Sequence, residues 1–264
     1  MTYEVYAVKY AEQTARVRGD NYMFDDNHAA PDPIDFYMWL IRGAGRVILV
    51  DTGFDAAEGA ARGRPIRLDP AEALKPFDLA PEDVTEIIVT HLHFDHAGGL
   101  HLFPNAQLHL QTAEMAYATG PCMCHDALRF PFTVGHVVEA VQRLYSGKVT
   151  FHDGDSEIAD GITVHRIGGH TKGMQAVRIR TQAGWLVLAS DAAHFYGNFL
   201  NGVPFPIVVD MQGMLDGFDT IRSLASAPKL VVPGHDPLVR QCFPAGMADH
   251  ITRLDLGPDR DPTL

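Results

Sequence analysis

The sequence predicts an α/β domain in which two β-sheets pack face to face between outer layers of helices, a four-layer αββα sandwich. Short strand-like apolar segments fall into two groups along the chain, with helical segments between them. The length of 264 residues, with 46% hydrophobic and 20% charged residues, suits one domain that buries a core. Because no repeat, low-complexity linker or break in composition divides the chain, we expect residues 1–264 to form a single domain.

The first group of strands is predicted from apolar segments bounded by turn residues. They cover residues 3–10, 36–42, 46–51, 86–90, 106–110 and 148–151. Two helices accompany this group, over residues 70–77 and 137–145. The first helix is predicted to begin with Asp69 as its N-cap and Pro70 at the first helical position.

The second group of strands is separated by glycine-rich turns. These strands cover residues 162–167, 175–180, 185–189 and 230–232, and a helix is predicted over residues 211–224. Several strands of both groups end just before a histidine or an aspartate. Since a rigid sheet holds the loops at its strand ends, we expect a functional site there.

Charge and composition limit the classes of partner. The formal net charge is −12, and two bound dications would bring it only to about −8, which disfavours a nucleic-acid partner. No window approaches the roughly 20 uninterrupted apolar residues of a membrane span, and the first residues lack the features of a secretory signal. The three cysteines, an odd number, fit a reducing compartment. We therefore expect a cytoplasmic protein without a membrane partner.

The most informative segment is residues 86–99, where an apolar strand leads into His91, His93, Asp95 and His96. Imidazole and carboxylate groups are ligands that zinc prefers, and four of them so close in sequence must converge on one small volume. Where the backbone is extended, His91 and His93 point to the same side and can bind one ion, while Asp95 and His96 face a second. The alternative is a polar loop that happens to be rich in histidine.

Three further metal-competent residues follow apolar strands later in the chain: His170, Asp191 and His235. Each alone has an ordinary interpretation, because a single histidine or aspartate after a strand commonly forms a cap or a turn. Together with the first four residues they make seven ligands, which is what two closely spaced ions need.

These motifs resemble the metal signature of the metallo-β-lactamase superfamily, and residues 50–53 match a further element of it. The resemblance covers residues 36–240 and implies an αββα sandwich with the metal centre at one edge of the two sheets. It also implies the ligand sets: His91, His93 and His170 for the first ion, Asp95, His96 and His235 for the second, and Asp191 bridging the two.

Two further segments have alternative interpretations. Asp51 is predicted to orient a ligand histidine and fix its tautomer, and the alternative is a purely structural turn. Its Asp-Thr-Gly triplet also occurs in aspartic proteases, but those enzymes need two such carboxylates and this chain has one triplet. Cys122, Cys124 and His125 could form a metal clip, but without a second cysteine pair we interpret them as loop residues.

A pair of metal ions indicates hydrolysis. Two ions roughly 3.5–4 Å apart bind one water between them and lower its pKa towards neutrality, which supplies a bridging hydroxide as nucleophile. One ion also polarises the target carbonyl and stabilises the oxyanion. Asp95 or Asp191 can accept or deliver a proton, and the chain lacks the Gly-x-Ser-x-Gly motif of serine hydrolases.

Within the superfamily, the chain resembles the N-acyl-homoserine lactonases in length, in the complete ligand set and in residues 191–205. The resemblance implies an enzyme that opens the ring of an N-acyl-homoserine lactone or a similar lactone. Those lactonases often have a tyrosine three residues after the bridging aspartate, where it binds the substrate carbonyl. Here His194 occupies that position and Tyr196 follows two residues later. His194 is therefore the candidate catalytic residue beside Asp95 and Asp191, and Tyr196 is its alternative.

Aromatic and methionine residues on expected loops predict a small-molecule substrate with an apolar tail or an aromatic ring. They lie at residues 22–24, 38–39, 130–132 and 195–205, where the alternatives are core packing and a homodimer contact. Two other functions remain open: hydrolysis of another ester, amide or cyclic amide, and a non-catalytic metal-binding or sensing module. The expected cofactors are two divalent ions, with zinc preferred, and the same ligands accept iron, manganese or cobalt.

Overall fold

Two β-sheets and the helices that cover them make up the structure, a computed structural model that describes residues 1–24 and 26–263. The strands are β1 (Glu4–Gln13), β2 (Ile34–Gly43), β3 (Arg46–Val50), β4 (Glu86–Ile88), β5 (Gln107–Gln111), β6 (Val149–His152), β7 (Ser156–Ala159), β8 (Ile162–Arg166), β9 (Gln175–Thr181), β10 (Gly184–Ser190), β11 (Val231–Pro233) and β12 (Ile251–Arg253). The α-helices are α1 (Ala56–Ala61), α2 (Phe94–Ala97), α3 (Thr112–Ala118), α4 (Asp126–Arg129), α5 (Val134–Tyr145), α6 (Tyr196–Asn201), α7 (Met211–Leu224) and α8 (Leu238–Cys242).

The two sheets differ in size and in strand direction. The first sheet has the order β12-β1-β2-β3-β4-β5-β6, and the second has the order β11-β10-β9-β8-β7. In the first sheet the strands from β3 to β6 are parallel, whereas β12, β1, β2 and β3 pair antiparallel. In the second sheet β7 to β10 are antiparallel, and β11 is parallel to β10. Parallel neighbours such as β3 and β4, or β10 and β11, end at the same edge of their sheet.

Apolar side chains of both sheets fill the space between them. Trp39 of β2 belongs to a fully buried cluster with Ile179 of β9 and Leu188 of β10. Leu40, the next residue along β2, points to the opposite face because strand residues alternate, and it joins a second cluster that includes Ala140 of α5. On the other side, α7 packs its buried Phe218 against the second sheet. The predicted αββα layering is therefore confirmed.

Each predicted strand is present, with ends that differ by at most a few residues. The helix predicted over residues 70–77 is present only as the 3-10 helix Glu72–Phe77 with Pro76 inside it, and the prediction of Asp69 as its N-cap is wrong, because Ala71 holds that position. Proline lacks the N–H that an α-helix would need at this position, and the carboxylate of Asp69 accepts a bond from the N–H of Ala71 instead. No helix in the described residues is both long and apolar enough to cross a membrane.

Candidate metal centre

The candidate site lies where strands of both sheets end. His91 follows β4, Asp191 directly follows β10, and His235 lies two residues after β11. The sheets are joined at this edge, because the backbone carbonyl of Thr90 accepts a hydrogen bond from the N–H of Gln175 at 3.0 Å. This junction brings the ligands predicted within residues 91–96 next to those predicted in the second half of the chain.

Asp191 lies at the centre of the site, and its two carboxylate oxygens face different histidines. Oδ2 lies 3.2 Å from Nε2 of His170 and 3.7 Å from Nε2 of His91. Oδ1 lies 3.0 Å from Nε2 of His235 and 3.3 Å from Nε2 of His96. All five side chains are buried. A carboxylate in this position can bind two cations at once, one through each oxygen.

The seven predicted ligands form two groups, each small enough to surround one ion. Within each group the ligand atoms lie within 4.8 Å of one another: His91, His93, His170 and Asp191 in the first, and Asp95, His96 and His235 in the second. In the first group, Nδ1 of His93 lies 2.9 Å from Nε2 of His170. The grouping matches the ligand sets that the resemblance implies.

Backbone carbonyls orient one histidine of each group. Nδ1 of His170 lies 2.8 Å from the carbonyl oxygen of Ile207, and Nδ1 of His235 lies 2.9 Å from that of Asp35. A carbonyl oxygen only accepts, so Nδ1 of each ring donates its proton. The lone pair of Nε2 then points to the centre, which is the tautomer that a metal ligand needs.

Asp51 orients a third histidine. Its Oδ2 lies 2.8 Å from Nδ1 of His96 and accepts the hydroxyl of Thr90 at 2.7 Å, while its Oδ1 accepts the N–H of Thr90 at 2.7 Å. Asp51 is fully buried and has a positive φ of 58°, a backbone conformation that is strained for a residue other than glycine. The predicted contact between Asp51 and a ligand histidine is therefore present.

The electrostatics of the centre favour a cation. Burial lowers the pKa of His91 and His93 well below its usual range, and neighbouring histidines lower it further, so both rings are neutral. Burial also lowers the pKa of His96, but the carboxylates around it, of Asp191 above all, outweigh burial and hold the pKa well above its usual range. Nε2 of His91 and His96 and Oδ1 of Asp191 are buried without a hydrogen-bond partner in the described residues. Metal ions would satisfy all three atoms.

His194 borders this centre, whereas Tyr196 does not. Nε2 of His194 lies 2.9 Å from Oδ2 of Asp191, and its ring stacks on Phe205 with ring centres 3.5 Å apart. Burial lowers the pKa of His194 to about 3, so the ring is neutral. Tyr196 packs its ring near Phe199, and its hydroxyl is buried without a hydrogen-bond partner in the described residues.

The sequence model of the metallo-β-lactamase superfamily matches residues 37–235, a range that contains all seven predicted ligand residues. The chain belongs to the metallo-β-lactamase superfamily. Among its curated relatives, an N-acyl homoserine lactonase of Bacillus sp. is 32% identical over 169 residues, which are 63% of this chain and 58% of that protein. The match therefore spans less than two thirds of the relative's length.

Two solved structures share the metallo-β-lactamase fold of this chain. One is an N-acyl homoserine lactone hydrolase with N-hexanoyl-L-homoserine bound at its catalytic metal centre, with a TM-score of 0.73, 23% identity and coverage of 90% of this chain and 95% of that chain. The other is a dizinc quorum-quenching lactonase, with a TM-score of 0.70, 19% identity and coverage of 89% and 88%. At these identities the two structures establish the common fold.

Glu114, which the sequence did not single out, connects two of the ligand loops of this metallo-β-lactamase fold. Its Oε1 accepts the N–H of Leu92, between His91 and His93, at 2.9 Å. Its Oε2 accepts the hydroxyl of Thr171 at 2.6 Å and the N–H of Gly173 at 3.0 Å. Burial raises the pKa of Glu114, although these three hydrogen bonds act against that rise.

Two glycines allow ligand loops to approach their neighbours closely. A Cβ on Gly234 would lie 2.7 Å from Oδ1 of Asp191, so a side chain there would displace the central carboxylate. Gly169 has a positive φ of 79°, and a Cβ on it would lie 2.6 Å from the backbone of Met214. The glycines before His170 and His235 are therefore required by close packing.

A cavity of about 200 Å³ opens onto the metal centre. Part of its wall is apolar and consists of Ile34, Phe36, Phe94, Phe130, Pro131, Phe205, Pro206 and Ile207. Of the segments 130–132 and 195–205 that were predicted to contact the substrate, Phe130, Pro131 and Phe205 line the cavity. The other aromatic residues of these segments are instead buried in the core: Phe132, Phe195, Tyr196 and Phe199. The prediction for Met38 and Trp39 is wrong, because both faces of β2 are covered and these side chains are fully buried in the core.

The cysteine segment does not form a metal clip. Over residues 1–24 and 26–263, the groups of three or more side chains that could hold an ion all lie at the centre described above. Cys122 is half-buried and Cys124 is exposed. Both cysteines lie in the 3-10 helix Pro121–Cys124, so the interpretation of them as loop residues is wrong, although they do not form a metal clip.

Proposed function

We propose that the protein is a hydrolase with two divalent metal ions that opens a lactone ring, that of an N-acyl-homoserine lactone or a similar compound. The position of Asp191 between two groups of ligands carries this proposal. When bound, two ions lower the pKa of a water molecule towards neutrality and polarise the substrate carbonyl. Relatives named as N-acyl homoserine lactonases support the choice of substrate.

The seven predicted ligands and Asp51 each have a role in this proposal. His91, His93 and His170 would hold the first ion, Asp95, His96 and His235 would hold the second, and Asp191 would contribute a carboxylate oxygen to each. Asp51 holds the tautomer of His96 through the hydrogen bond to Nδ1. Asp95 or Asp191 accepts or delivers the proton that moves when the ring opens.

The first test is the metal content. Purified protein is expected to contain about two metal ions per chain, because each group of ligands surrounds one ion. We propose zinc, in line with the dizinc lactonase of the same fold, although iron, manganese or cobalt would also suit these ligands. Elemental analysis of the purified protein measures the content. One ion or none per chain would contradict the two-metal proposal.

His194→Phe tests the residue proposed to bind the substrate carbonyl. A neutral His194 has one ring N–H, which faces Oδ2 of Asp191 at 2.9 Å and would become available to the substrate carbonyl once Oδ2 binds a metal ion; phenylalanine keeps the stacking on Phe205 but removes that donor. We expect kcat to fall on the order of 10²-fold while the metal content stays unchanged. Loss of metal would instead make His194 a ligand, since its Nε2 groups with Asp191 and His235. Unchanged kinetics would remove His194 from the site.

The alternative substrate is another small ester, amide or cyclic amide at the same centre. A panel of acyl-homoserine lactones of different chain length, other lactones, aryl esters and a β-lactam, run on metal-loaded protein, distinguishes these classes. Turnover of esters or amides but of no lactone would favour the alternative. We also propose a cytoplasmic protein without nucleic-acid or membrane partners, and a homodimer as the state to test by sedimentation.

A further inference from the structure

Two arginines line the cavity over the metal centre. Arg16 and Arg64 line the same cavity of about 200 Å³ as His194 and the carboxylates of Asp20, Asp95 and Asp191. Both side chains are half-buried. The protein carries a net charge of −12, so acidic residues outnumber basic ones in the chain as a whole. Two arginines in one small cavity are therefore not expected from the composition alone.

Aromatic rings hold both guanidinium groups beside the reacting centre. The guanidinium carbon of Arg16 lies 5.5 Å from the ring centre of Phe205, and that of Arg64 lies 5.0 Å from the ring centre of Phe94. Phe205 in turn stacks on His194. A guanidinium attracted to the face of an aromatic ring still has N–H donors, and these suit the two oxygens of a carboxylate.

Neither guanidinium has a carboxylate partner within residues 1–24 and 26–263. Arg16 donates from Nε to Oδ1 of Asn21 at 2.9 Å and from Nη2 to the backbone carbonyl of Asp20 at 2.6 Å. These two contacts use only part of its five N–H groups. Arg62, which also stacks on Phe94, is by contrast paired with Glu58.

The two positive charges also repel each other. Burial lowers the pKa of Arg16 and the charge of Arg64 lowers it further, while Asp20, Asp32 and Asp95 act in the opposite direction. Two like charges that share a small cavity are stabilised by an anion that contacts both of them.

We propose that Arg16 and Arg64 bind a carboxylate of the substrate, so that the cavity selects lactones bearing a carboxylate over neutral lactones. This inference rests on the proposed function for the reaction and adds the charge of the substrate. The apolar wall of the cavity contacts the carbon atoms of the substrate that carry no polar group. Neutral N-acyl-homoserine lactones are then poorer substrates than their carboxylate-bearing analogues.

The test compares a γ-butyrolactone bearing a carboxylate with the same lactone bearing a carboxamide, on metal-loaded protein. We expect kcat/KM to be roughly tenfold higher or more for the carboxylate, because charge-assisted hydrogen bonds discriminate by at least that factor. Arg16→Gln and Arg64→Gln are each expected to reduce this preference. Arg42→Gln is the matched control. Arg42 is also a half-buried arginine, but it lies at the end of β2 away from Ile34 and Phe36, which line the cavity. This substitution should leave the preference for the carboxylate unchanged.

Binding of a compound that cannot be hydrolysed separates this inference from the proposed function. Cyclopentanone carboxylate, in which a methylene replaces the ring oxygen, is titrated calorimetrically beside its carboxamide. The inference is supported if the wild-type protein binds the carboxylate more tightly than the carboxamide and if this difference is lost in Arg16→Gln and Arg64→Gln. This holds even if the protein turns over no lactone. Absence of lactone turnover would overturn only the proposed function. Equal binding and equal turnover of the charged and neutral compounds would overturn the selection of an anion and leave lactone hydrolysis standing.

Discussion

Asp191→Asn is expected to lower kcat on the order of 10³-fold or more and to reduce the metal content below two ions per chain. Asparagine has nearly the same shape, but one of its two terminal atoms is an NH₂ donor that cannot bind a cation. That group must face either the histidines near Oδ2, including His170, or those near Oδ1, including His235. Turnover of the best lactone and elemental analysis of the same preparation measure the two effects.

Asp219→Asn is the matched control for this substitution. Asp219 lies on α7, has 78% of its side chain exposed and pairs with Arg222. Its substitution by asparagine is therefore the same chemical change at a position outside the site. The control should keep wild-type rates and metal content. A folded Asp191→Asn protein that retained two ions and near wild-type turnover would show that Asp191 does not bridge the metals.

The strands could be predicted where they are long or buried on both faces. β2 and β10 are continuous apolar runs, because each packs between the other sheet and a helical layer. β7 and β12 escaped prediction for physical reasons. β7 is an edge strand with partly exposed side chains, and β12 has only three residues, so neither carries a period or an apolar run of its own.

The residues that converge on the candidate metal centre could be predicted because histidines and aspartates at strand ends are recognisable by type and by position. The choice between His194 and Tyr196 could not be predicted from the sequence, because either side chain could turn towards the substrate. The structure distinguishes them through packing: His194 reaches Asp191, while Tyr196 begins α6 and points into the core. Glu114 gave no sequence signal, because its partners lie 22 to 59 residues away in the chain.

Glu114→Ala is expected to lower the free energy of unfolding by roughly 3–5 kcal/mol, measured by urea denaturation of the metal-free protein. The substitution leaves three buried donors without their acceptor: the N–H groups of Leu92 and Gly173 and the hydroxyl of Thr171. Glu157→Ala, on the exposed part of β7, is the control and should change stability little.

Glu114→Ala should also weaken metal binding at one of the two proposed sites more than at the other. A general loss of stability would not produce such a difference. Leu92 lies between His91 and His93, and Thr171 follows His170, so the hydrogen bonds of Glu114 support the ligands of the first ion. We expect a 10- to 100-fold loss of affinity, roughly, for one of the two ions in a stepwise metal titration. The ion held by Asp95 and the histidines grouped with it should bind nearly as before. An equal loss of affinity for both ions would show that Glu114 has only a structural role.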